Sequence, residues 1–119
     1  MKKIFIIFLM SFILVPLAYS KSSNPLSGNS NSIDSGKKLY GIKCSKCHGI
    51  KAKGINNGHT KTPNLRKYKR GYKEFVYIIV NGYVRMPAWG GMGVLSQKQM
   101  DEIAAFVESL SLDLNEWED

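Results

Sequence analysis

A small all-α domain is predicted by three observations. Tyr72, Phe75, Val76, Ile79 and Tyr83 recur at i, i+3, i+4, i+7 and i+11, the spacing of one helical face. Met100, Ile103, Phe106, Val107 and Leu110 repeat that periodicity near the C-terminus, opened by Ser96 with Gln99 three residues on, a capping box. Between the periodic stretches lie Gly-, Pro- and Asn-rich runs such as Gly54 and Asn56-Asn57-Gly58, which read as loops.

The chain divides in order. Lys2 and Lys3 precede a 14-residue, largely apolar run, Ile4 to Leu17, and Ala18-Tyr19-Ser20 supplies small residues at the −3 and −1 positions of a cleavage site. Residues 1–20 read as a secretory signal peptide. As a helix the apolar run would reach about 21 Å, against roughly 30 Å of hydrocarbon, so an uncleaved anchor is the minor alternative. Residues 21–33, mostly Ser, Asn, Gly and Pro, read as a flexible linker. Residues 34–112 form the predicted domain, and 113–119 an acidic, frayed tail. About eighty residues is close to the size at which one apolar core alone is marginal.

Within the domain the first helix is expected over 34–44, capped by Asp34 or Ser35, with Ile33, Leu39, Tyr40 and Ile42 as its apolar residues. Gly36 lies one turn before Tyr40. Glycine in a helix costs about 1 kcal/mol relative to alanine, so a close helix approach is its expected reason. The run Val76-Tyr77-Ile78-Ile79-Val80 would also suit a strand. Asn81-Gly82, read as a C-terminal stop, decides for a helix over 72–80. Arg85 to Gly93 is a Gly- and Pro-bounded loop carrying Met and Trp, and in the last helix Lys98, Asp101, Glu102 and Glu108 are expected to face away from the core.

The strongest motif is Cys44-Ser45-Lys46-Cys47-His48, followed by Gly49. Two cysteines three apart with histidine next read as a c-type haem attachment site. Each thiol adds across one vinyl group to form a thioether, and the adjacent imidazole is an axial ligand to iron. A thioredoxin-like pair lacks the βαβ surroundings that it needs. Zinc would need four N/S ligands from Cys44, Cys47, His48 and His59, an odd spacing. A disulfide closing a two-residue loop gains little. A carbonyl of the Thr62-Pro63-Asn64-Leu65 turn is a candidate acceptor for the second ring nitrogen of His48.

The elements together resemble class I (mono-haem) c-type cytochromes. The matching residues are Gly36 and Tyr40 ahead of C-S-K-C-H-G, T-P-N-L from Thr62, M-P-A-W from Met86, and the final helix from Leu95 through Val107. The resemblance implies a small cytochrome c fold of three to four helices around one covalently attached haem c. It implies that the first and last helices cross at Gly36, Tyr40 and Phe106, that Pro63 offers its carbonyl to His48, and that Met86 is the second axial ligand. The family more often has Gly where this chain has Thr62. The M-P-A-W-G-G run is also similar to haem domains that serve quinoprotein alcohol dehydrogenases or terminal oxidases. For the ligand sulfur, Met86 is stiffened by Pro87, Met92 is flanked by glycines, and Met100 belongs to a core face; an iron left open or bound by His59 is the remaining alternative. Trp89 either packs on the haem edge or plugs the core beneath the loop.

Without Lys2 and Lys3 the net charge falls from +8 to +6, and twelve Lys/Arg stand between Lys37 and Lys73 with no acid among them. Such a block suits nucleic acid, an anionic membrane surface or an acidic redox partner, or is a solvated face with no specific partner. Export argues against nucleic acid, and Lys43, Lys46, Lys51 and Lys53 would form a docking rim if one haem edge is exposed beside them. The expectation is a periplasmic one-electron carrier with iron held by His48 and Met86, not an enzyme. It would pass electrons from a dehydrogenase or similar donor to a respiratory acceptor, with no stable membrane insertion once the signal is cleaved. The alternatives are a haem-based sensor with an open axial site and a dedicated cytochrome subunit of a dehydrogenase complex.

Overall fold

The computed structural model describes residues 22–90, 94–112, 117 and 119, so the signal peptide and Met92 lie outside the described residues. Among the described residues four α-helices run in chain order: α1 Ser30–Lys43, α2 Ser45–His48, α3 Gly71–Asn81 and α4 Gln97–Ser109, with a 3-10 turn at Leu65–Lys67. The described residues contain no strand, only isolated bridges Asn56–Lys61 and Tyr83–Met86. None of the described helices is long and apolar enough to cross a membrane.

α1 and α4 form the most extensive helix pair. Their crossing depends on Gly36, where a Cβ would collide with the Glu102 carbonyl oxygen and stand 3.0 Å from Phe106 Cβ. One turn on, Tyr40 meets Phe106 with ring centroids 5.3 Å apart. α4 starts at the expected capping box, the Ser96 hydroxyl accepting from Gln99 N–H and the Gln99 side chain accepting from Ser96 N–H. Its buried face carries Met100, Ile103, Ala104, Phe106 and Val107. α3 sets Phe75 and Ile79 into the same core and ends at Gly82, whose φ of 74° needs glycine.

Four expectations are corrected. α1 begins at Ser30, capped by the Asn29 side chain, which accepts from Ser32 N–H at 2.9 Å; Asp34 and Ser35 lie inside it. The segment 22–29, read as linker, instead packs against α4. The Asn24 side chain is 1 % exposed and donates to the Asp101 carbonyl at 3.0 Å, and Ser27 donates to the Glu108 carboxylate at 2.8 Å. Short polar side chains that capture their own backbone favour turns and caps, and composition alone does not separate these from disorder.

At the other end Trp117, assigned to a frayed tail, is buried, its ring 5.1 Å from Tyr68 and 4.9 Å from Phe75. Asp101, expected to face solvent, is buried as well. Its carboxylate accepts from Tyr72 at 2.6 Å and Gln97 at 2.8 Å. Tyr72 of α3 and Ser27 of the N-terminal segment each donate to a carboxylate of α4, while Glu108 Oε2 is buried without a partner among the described residues.

Candidate haem-attachment site

The attachment motif is one tight turn that continues α1. Cys44 N–H closes α1 on the Tyr40 carbonyl at 2.9 Å, and the Cys44 carbonyl in turn accepts from both Cys47 N–H (3.1 Å) and His48 N–H (2.9 Å). Gly49, at φ 81°, ends α2 with its N–H on the Ser45 carbonyl at 2.8 Å. Both thiols and the imidazole are therefore carried on a single four-residue helix and its cap.

Their environments differ. Cys44 is half-buried against the core and Cys47 is exposed, both as free thiols. Burial, with Cys47 beside it, pushes the Cys44 thiol up to about 11, so it stands as a neutral thiol. His48 is buried, and desolvation lowers its proton affinity while the Pro63 backbone acts in the opposite direction. A buried, neutral imidazole is the form that ligates iron. Its Nδ1 is buried without a hydrogen-bond partner among the described residues.

The loop after the motif is folded back on it. Gly54 N–H donates to the His48 carbonyl at 2.9 Å, and a Cβ on Gly54 would stand 2.7 Å from the Pro63 carbonyl oxygen. Gly54, at φ 78°, thus lets the Pro63 strand approach the His48 turn. Thr62 fixes the junction. Its hydroxyl donates to the Cys47 carbonyl at 2.7 Å and accepts from Ile55 N–H at 2.7 Å. Where the resembling family more often has glycine, this chain gains two hydrogen bonds. From the other side Tyr40 donates its hydroxyl to the Gly49 carbonyl at 2.7 Å. These ties by Thr62, Gly54 and Tyr40 went unread in the sequence; only Tyr40, four residues before Cys44 on one helix face, gave a local signal.

Met86 sits in a loop anchored to α3. Tyr83 and Met86 exchange backbone hydrogen bonds at 3.1 and 2.8 Å. A Cβ at Gly82 would lie 2.6 Å from the Met86 carbonyl oxygen, so the return of the chain requires glycine there too. Met86 and Trp89 are half-buried against the core cluster that also receives Cys44. Trp89 N–H donates to the Ile79 carbonyl at 2.8 Å, and the Lys43 ammonium lies 5.7 Å from its ring centroid. Met100 is a buried core residue and His59 lies in an exposed loop turn. Of the expected rim, Lys46, Lys51 and Lys53 are exposed, whereas Lys43 is half-buried.

The residues fit a covalently held haem. Cys44 and a half-buried Met86 pack against one apolar core, and the turn that carries Cys44 also carries Cys47 and a buried imidazole with an orphaned Nδ1. Among the described residues no group of three His, Cys, Asp or Glu side chains is placed to hold a metal ion by itself.

Comparison with known proteins agrees. The backbone is similar to cytochrome cL of the marine methylotrophic bacterium Methylophaga aminisulfidivorans MPT, at 23 % identity and TM-score 0.59, covering 73 % of this chain and 58 % of that one. It is similar to the c-type cytochrome XoxG of Methylobacterium extorquens AM1, at 24 % identity and TM-score 0.58, covering 72 % and 53 %. A chain of a reducing HAO-like protein complex of Kuenenia stuttgartiensis matches at 20 % identity and TM-score 0.52, over 66 % and 42 %. This chain spans little more than half the length of the first two, and at these identities the likeness is one of fold. The match at the level of family runs over residues 31–107, from the first turn of α1 to the last turns of α4. The chain belongs to the cytochrome c family described as cytochrome c oxidase, cbb3-type, subunit III, whose members carry covalently attached haem c.

Proposed function

We propose that this protein is a periplasmic one-electron carrier whose iron is held axially by His48 and Met86. The observation that carries the reading is the pairing of a buried His48, on the turn whose Cys44 packs against the core, with a Met86 that packs against the same core from a loop anchored to α3. When bound, the haem supplies the redox couple, exchanging one electron between Fe(III) and Fe(II). The chain's residues do the rest. Cys44 and Cys47 would fasten the ring, and His48 and Met86 would both ligate the iron, leaving no open position for a substrate. Thr62 and Gly54 hold the Pro63 carbonyl beside the imidazole. A backbone fixed by this many hydrogen bonds reorganises little when the charge changes. Trp89 and the core close the crevice to water.

The exposed Lys46, Lys51 and Lys53 beside the motif support a partner with an acidic docking surface, such as a dehydrogenase donor or a respiratory acceptor. The rate of electron transfer to such a partner should fall steeply with ionic strength. The axial set is tested by absorption. The oxidised holoprotein should show the weak band at the red end that reports sulfur on iron. Met86→Ala should abolish it, and the reduced wild type should not bind carbon monoxide. Ready carbon monoxide binding by the wild type would instead support a sensor with an open site.

A further inference from the structure

We propose that Lys43 and Trp89 form a clasp that holds the Met86 loop shut against the haem-attachment turn; this rests on Met86 being the iron ligand. Lys43 is the last residue of α1 and adjoins Cys44. Its ammonium lies 5.7 Å from the centroid of the Trp89 indole, inside the roughly 6 Å range of a cation–π contact. Trp89 lies three residues beyond Met86 on an anchored backbone: its main-chain N–H is bonded to the Ile79 carbonyl, its main-chain carbonyl accepts from Leu95 N–H at 3.0 Å, and its side chain is half-buried on the core. Gly90 next to it leaves no room for a Cβ, which would stand 2.7 Å from Val80.

Lys43 differs from its neighbours. Lys46, Lys51 and Lys53 extend into solvent, whereas Lys43 is half-buried, and partial desolvation strengthens attraction between a cation and the π face. The contact joins the segment bearing both thiols to the segment bearing the ligand sulfur. Opening the Met86 loop must break it, so an external base competing for the iron works against the clasp.

The test titrates imidazole into the oxidised, full-length holoprotein and follows loss of the red-end sulfur band. Lys43→Gln should bind imidazole about two- to fivefold more tightly than wild type. Lys43→Arg keeps a cation able to stack on the indole and should remain close to wild type. Lys46→Gln, which removes the same charge from an exposed neighbour, should also leave the affinity unchanged. The clasp is overturned if Lys43→Gln matches wild type, or if Lys46→Gln loosens the sulfur equally, which would reduce the effect to net charge. A wild type that lacks the sulfur band overturns the ligand assignment beneath it, a result distinct from an intact band that is indifferent to Lys43.

Discussion

Replacing Gly36 by alanine should weaken the domain severely, although alanine is the better helix former. The added Cβ would overlap the Glu102 carbonyl oxygen, stand 2.5 Å from its carbon, and lie 3.0 Å from Phe106 Cβ. Non-bonded carbons rest at about 3.5–4.0 Å, so α1 and α4 must part by roughly an ångström. The neighbours are helix backbone and a Cβ, which have no rotamer by which to yield. Overpacking of this kind costs about 1–3 kcal/mol and sometimes more. Parting the helices also pulls Tyr40 from Phe106, a ring pair worth about 0.5–1.5 kcal/mol beyond its buried area. Against this stands a gain of about 1 kcal/mol from helix propensity. The net loss is about 0.5–3.5 kcal/mol, which for a domain of this size lowers Tm by roughly 2–28 °C. Gly41, on the same helix, has nothing within 4 Å of its built Cβ, so Gly41→Ala should gain about 0.5–1 kcal/mol. Urea and thermal unfolding of the two holoproteins, side by side, decide the matter. If both substitutions shift stability in the same direction, close packing is not why glycine stands at 36.

Three further outcomes are expected. Thr62→Val should cost about 1–3 kcal/mol in urea unfolding, because two hydrogen bonds are lost and Ile55 N–H is left unpaired, whereas Thr62→Ser should cost less. Trp117→Ala should cost about 3 kcal/mol by emptying the Tyr68–Phe75 cluster; Trp117→Phe should lose less, since the indole N–H is buried without a partner, and a truly frayed tail would register neither change. The Glu108 carboxyl is held above its ordinary value of 4.5, chiefly by burial and further by Asp119, with the Ser27 and Ser22 hydroxyls opposing. The folded state therefore binds that proton more tightly than the unfolded one, so the contribution is full below about 4.5 and is lost as pH rises through the folded value. Glu108→Gln should accordingly gain stability relative to wild type as pH increases, and a pH-independent difference between the two would contradict this.

What the sequence revealed and what it hid have separate physical causes. α3 and α4 were legible because an amphipathic face repeats every 3.6 residues and because Ser96 and Gln99 form a cap within one turn. C-S-K-C-H was legible because the covalent reach of two thioethers fixes the spacing locally. The start of α1 was obscured because Asn24, Ser27 and Asn29 have the composition of a linker, yet their side chains bind α4 and their own backbone. Asp101 looked solvent-facing because a helical wheel does not know that the Tyr72 hydroxyl will arrive from α3. Thr62 meets Cys47 across fifteen residues, and such a bond has no periodicity to betray it.

α1 couples the core to the site in a way that no other helix does. Gly36 and Tyr40 face α4, Lys43 reaches Trp89, and Cys44 opens the attachment turn, all within nine residues of one rigid rod. Tyr40 serves both ends, its ring packed on Phe106 and its hydroxyl bonded to the Gly49 carbonyl beyond His48. A displacement of α1 away from α4 therefore cannot be absorbed in the core alone. It must move Cys44 and His48 relative to the loop that α3 holds. Disturbing the crossing should then loosen the ligand sulfur in proportion to the lost stability, whereas Trp117→Ala, acting through α3 and the C-terminal segment, should lower stability with a smaller effect on the iron. Comparing the sulfur band of Gly36→Ala with that of Trp117→Ala, under conditions where both remain folded, separates a domain that merely encloses its haem from one in which α1 transmits packing to the metal.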